Sequence, residues 1–138
     1  MLQFLKTHRT LLLLTLLIPV VMLAKRTPPK PVAPVSGDGV TYTTAGDGFE
    51  EFVVATQADS GKELWKTKIF TVQVKPELEK DVQAIYITKL KLAGPTLYVR
   101  DESSRCFQLD VKTQAVRPVA CSAMKKAKST AVPTHVKS

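Results

Sequence analysis

An all-β fold is predicted by three features of this sequence. They are two Gly-Asp-Gly turns, an apolar strand that reverses through a polar turn ending on Gly61, and short alternating strands separated by turn signals after Gly94. Together they predict an antiparallel meander of about six to seven strands. Such a meander makes a small sandwich, a partly closed barrel or a blade-like sheet, here placed behind an N-terminal apolar helix.

The chain opens on an export segment. Lys6, His8 and Arg9 precede an apolar run, Leu11 to Ala24, interrupted only by Thr15 and Pro19. From Thr10 the run spans fifteen residues, short against the roughly twenty that cross a bilayer as a helix. Met22 stands where signal cleavage wants a small residue, and Lys25 and Arg26 follow at once. Residues 1–24 therefore read either as a cleaved signal peptide or as a membrane anchor. Residues 25–37 read as a linker, because four prolines between 28 and 34 favour extended polyproline backbone and remove ladder donors. The β domain is expected over 38–121 and a disordered basic tail over 122–138.

Within the domain, Gly37-Asp38-Gly39 and Gly46-Asp47-Gly48 bracket a strand over 40–44. Turns of this kind could also seed a calcium site, but six or more oxygen ligands are not in view nearby. Residues 49–57 and 64–74 form the first hairpin. In its second strand Trp65, Thr67 and Ile69 share one face, whereas Phe70, Val72 and Val74 share the other. Strand side chains alternate, so this change of phase predicts a bulge near Ile69-Phe70. The strand over 84–93 changes phase in the same way near Thr88-Lys89. Pairing the two strands across the connection 75–83 would superpose the changes, giving one long hairpin with a shared crease. A short helical turn is expected at 76–81, opened by Pro76. Gly94-Pro95 then begins the final meander of 96–100, 105–110 and 115–120. There Leu97, Val99, Phe107 and Leu109 should face the core, and Arg100, Gln108 and Asp110 should face water.

The hairpin from Ala55 to Trp65 resembles the tryptophan-docking motif of pyrroloquinoline-quinone-type β-propeller repeats, Ala-x-Asp-x-x-x-Gly-x-x-x-Trp. Ala55, Gly61 and Trp65 match it, while Gln57 replaces the Asp and Ser60 replaces the usual Thr. The stretch Phe107 to Val116 is similar to a second phrase of the same repeats, Tyr-x-Leu-Asp-x-x-Thr-Gly-x-Val, with Gln114 in place of Gly. A propeller needs at least about four blades of some 40 residues. The resemblance therefore implies an isolated blade-like unit, with β-hairpin architecture and no quinone cofactor.

Composition narrows the function. The net charge of +8 invites a nucleic-acid reading, yet between Gly37 and Ser122 eleven Lys and Arg stand against all twelve Asp and Glu, leaving −1. The other nine cations lie on the flanks. A nucleic-acid binder carries its cations on the folded surface among aromatics, so this class is set aside. Both histidines, His8 and His135, lie outside the domain, which leaves Ser-His and Cys-His nucleophile chemistry without a base there. Glu50-Glu51, Glu77-Glu79-Asp81 and Asp101-Glu102 are the carboxylate clusters; a glycosidase-like pair would need two of them facing across a cleft. Cys106 and Cys121 fall approximately opposite each other if the last hairpin reverses near 112–114. They are either a disulfide worth about 3 kcal/mol or two small apolar residues. Two cysteines without histidine make no structural zinc site. The expected function is a non-catalytic exported or membrane-anchored module that binds or scaffolds an unidentified protein of the cell envelope through its sheet edges or the Trp65 face, in the periplasm or outside the cell. The alternative is a small carboxylate-based hydrolase or ligand-binding protein of the periplasm. A third option is attachment of Lys125, Lys126 and Lys128 to anionic lipid.

Overall fold

A computed structural model of the chain describes Thr27 and residues 29–132. The apolar leader expected over 1–24 lies outside the described residues, as does the end of the tail beyond 132. The described part is built from two four-stranded antiparallel sheets, each a simple meander. The first comprises β1 (Val35–Gly37), β2 (Val40–Gly46), β3 (Glu50–Gln57) and β4 (Glu63–Thr71). The second comprises β5 (Ile87–Ala93), β6 (Thr96–Asp101), β7 (Cys106–Asp110) and β8 (Val116–Val119). Between them the chain makes a turn at 76–77 and a 3-10 helix at Asp81–Gln83, where the sequence predicts one helical turn. A six-residue helix, α1 (Cys121–Lys126), follows β8.

One apolar core joins the sheets, which do not close into a barrel. Val53, Ala55, Leu97, Val99 and Leu109 are wholly buried, and Phe70 of β4 stacks on Phe107 of β7 with ring centroids 5.4 Å apart. The guanidinium of Arg105 lies over both rings, while its Nε donates to the buried Asp101 carboxylate at 2.7 Å. The four predicted core residues of the last meander are all buried, and Arg100, Gln108 and Asp110 are half-exposed.

Both phase changes are β-bulges. Glu51 pairs with Phe70 and Phe52 with Lys68, so Ile69 is the extra residue on β4; both Ile69 and Phe70 are buried. Ile87 pairs with Asp101 and Lys89 with Arg100, which leaves Thr88 extra on β5. The shared crease is not formed, however. β4 and β5 lie in different sheets, and each bulge faces its own neighbour, β3 or β6. A change of phase marks a fault in a ladder without naming the other rail. The two-residue Gly94-Pro95 turn closes β5 on β6 at less entropic cost than the longer connection to β4.

The two segments expected to lie outside the domain, the linker and the tail, also contribute to the fold. Val35–Gly37, assigned to the linker, pairs with β2, and Val32 packs on the core. Past α1, with Met124 buried, the chain runs along the seam between the sheets. Thr130 donates its backbone N–H to Leu92 O (2.9 Å) on β5, and Val132 donates to Ser36 O (2.8 Å) on β1. The Thr130 hydroxyl accepts from the Gly94 amide at 2.9 Å, and Ala131 lies against the core. These residues clasp an edge strand of each sheet. A chain ending after Ala127 should be less stable than one ending after Val132 by about 2 kcal/mol, roughly the net worth of the hydrogen bonds removed. Paired urea melts measure this, and equal midpoints would deny the clasp a structural part.

Candidate functional site

The connection from β4 to β5 crosses between the sheets at one place. The Val72 amide donates to Phe49 O (2.7 Å) and the Ile85 amide to Gly48 O (2.8 Å), so the chain leaves and rejoins the fold beside the same turn. The loop between is shaped by one side chain. The Gln83 amide accepts from Lys75 N (2.7 Å) and donates to the carbonyls of Lys75, Leu78 and Glu79 at 3.0 to 3.2 Å. Against it stands the β6–β7 turn, held by Tyr86 N donating to Glu102 Oε1 and Glu102 N donating to Tyr86 O.

A cleft of about 550 Å³ lies between these two loops. Its apolar wall is Val72, Ala84 and Ile85, and its rim carries Leu78 and Val82, which are 51% and 59% exposed. Gln73, Lys75, Glu102 and Ser103 supply polar groups around it. Large exposed aliphatics beside a concavity with a few polar groups are the composition of a binding surface. The sequence carries the signal as Val74, Leu78 and Val82, spaced by four in an otherwise charged stretch. The expected helical turn at 76–81 absorbs Leu78, and the expected strand over 64–74 absorbs Val74, so the spacing goes unused.

The residues of the docking-like motif take structural places. Ala55 on β3 pairs with Trp65 on β4 and with Tyr42 on β2. Its methyl group is small enough for Tyr42 and Trp65 to meet across it, with ring centroids 5.9 Å apart. Trp65 is half-buried against the core. Gly61 has φ +70°, a conformation that a Cβ resists. Its amide closes the turn on Gln57 O, while Gln57 N donates to Lys62 O. The second phrase repeats this construction. Gln114 N donates to Asp110 O and Asp110 N to Ala115 O, with Gln114 at φ +60°. Gln114 stands where the repeats have Gly, and its side-chain oxygen accepts from the Thr67 hydroxyl at 2.9 Å. A hydrogen bond between the sheets thus accompanies the strained backbone.

Cys106 and Cys121 are joined in a disulfide, with Cα atoms 5.2 Å apart. It ties β7 to the first residue of α1, beyond the end of β8. The carboxylate clusters divide among separate tasks. Glu50 pairs with Lys68, Asp101 with Arg105, and Glu77, Glu79 and Asp81 are exposed on the loop. Glu51 is 3% exposed and accepts from Gly48 N (3.0 Å) and Ile87 N (3.1 Å); burial raises its pKa. Among the described residues Glu102 is the one carboxylate that lines the cleft. Among the described residues no three His, Cys, Asp or Glu side chains group to hold a metal, and no helix is long and apolar enough to cross a membrane. No protein-family model matches the chain, and no curated protein matches it either.

Proposed function

We propose that the protein is a non-catalytic, exported or membrane-anchored β module that holds a protein partner in the cell envelope. The partner contributes an apolar segment to the cleft at Leu78 and Val82. The observation that carries this reading is the exposure of two large aliphatics on a loop that Gln83 pins in shape, so the surface is formed before binding.

Strand addition at a sheet edge is a weaker version of the same idea. The clasp at 130–132 occupies parts of the β1 and β5 edges. β4 carries two register shifts together with Lys66 and Lys68, and β8 contains Pro118, which has no N–H to offer. These are the devices that keep edges from pairing.

The test is a photo-crosslinking residue placed at Val82, with Lys112 on an exposed sheet-two turn as control, in the full chain in its native membranes. Position 82 should give a discrete adduct that falls about tenfold when Leu78→Asp is added, since a charge cannot enter an apolar contact without loss. The Leu78→Asp variant should melt with the parent because that side chain is exposed. Equal yields at the two positions, or monomer alone at both, would overturn the proposal.

A further inference from the structure

The Cys106–Cys121 disulfide forms part of the wall of a second cavity, of about 300 Å³, whose remaining lining is Met124 and four cations: Lys89, Lys91, Arg100 and Lys125. Among the described residues no acidic side chain lines it. Two of the cations are held in place by neutral acceptors. Lys91 Nζ donates to Met124 O (2.8 Å) and Lys125 O (3.4 Å), which also settles the carbonyl end of α1. Arg100 Nη2 donates to the Ser104 hydroxyl at 3.1 Å. Among the described residues none of the four makes an ion pair. Asp101, next to Arg100 in sequence, is 1% exposed and already holds Arg105.

Like charges gathered round one concavity repel each other unless an anion sits among them. From this we propose that the cavity is a binding site for a phosphate-class anion. A phosphate group matches it better than a single carboxylate, having more charge and oxygens that accept from several directions. The cross-link gives the site a fixed frame: it anchors α1, which carries Lys125, to β7. The same group could arrive free in solution or on a lipid headgroup, and the experiment separates these.

The full chain is placed in dodecyl maltoside micelles, which carry no phosphate group, and the backbone amide shifts of Cys106, Cys121 and Lys125 are followed by NMR. Saturable shifts on adding inorganic phosphate, weakened about tenfold by Lys89→Gln with Arg100→Gln, establish the site with a free anion as its ligand. No response to phosphate, but the same shifts when phosphatidylglycerol is mixed into the micelles and their loss in the double variant, establish it with a headgroup. Because Arg100 is half-buried, Lys125→Glu, at an exposed position, provides a second variant with the same expected loss. Shifts in neither arm, or shifts that survive both variants at parental strength, overturn the proposal.

Discussion

Replacing Cys106 and Cys121 together by Ala should lower the unfolding free energy by about 3 kcal/mol, the chain-entropy value for a loop of this length. The sequence separation is 15 residues. For a domain of this size such a loss should take more than about 10 °C from the melting temperature. The effect should also be uneven across the fold. α1 has six residues and no side-chain cap at its N-terminus, so it is too short to hold itself as a helix. What keeps it is the bridge at its first residue, the buried Met124 and the Lys91 bond to its last carbonyls. Without the bridge the chain beyond β8 is released, and the 130–132 clasp should go with it. Hydrogen exchange should therefore accelerate first at the Thr130 and Val132 amides, while those of Leu97 and Leu109 change only with global stability. Guanidinium melts of the oxidised protein and the double variant measure the total. A common midpoint would show that the helix docks without its cross-link.

The legibility of this fold follows from where its stabilising groups sit. Turns were readable because Gly, Asp and Pro leave a mark in the sequence, and the strands between them alternate. The bulges at Ile69 and Thr88 were readable for the same reason: an extra residue in a ladder shifts the apolar phase. Which strand lies opposite a bulge is decided by loop closure and by the neighbouring strands, and phase carries none of that. The clasp left almost no trace. It depends on backbone N–H groups and one threonine hydroxyl, and the apolar anchors of the whole stretch are Ala131 and, in α1, the isolated Met124. No periodicity can be built from two residues, so the stretch reads as a tail. The cationic cavity was hidden in another way. Lys89, Lys91 and Arg100 counted toward a nearly neutral domain and Lys125 toward a basic tail, and only the docking of α1 onto the β5–β6 side brings them together.

The Glu51→Ala variant should be destabilised by about 2–5 kcal/mol, because it strips the acceptor from two buried backbone donors at once. Those donors are Gly48 N, at the turn before β3, and Ile87 N, at the start of β5, so one carboxylate fastens the two sheets at their junction. Gly46 pairs with Glu51 across β2 and β3, and a Cβ there would collide with the carboxylate. This explains a glycine at the end of a strand. The same group shapes the pH response. Burial raises the Glu51 pKa above its ordinary 4.5, so the fold binds its proton more tightly than the unfolded chain does. Its contribution is complete below 4.5 and is lost as pH rises through the elevated folded value. Asp47 and Asp110 act in the opposite sense. Amide donors from Glu50 and Phe49, and from Thr113 and Lys112, lower their pKa values, so their contributions are present above 3.8 and are lost as pH falls. Glu51→Gln keeps one acceptor oxygen and removes the titration. It should therefore still gain stability as pH rises out of the acid range, yet lack the decline the parent shows above 4.5. Urea midpoints recorded across that range for both proteins decide it: parallel curves would mean that Glu51 is not the source of the decline.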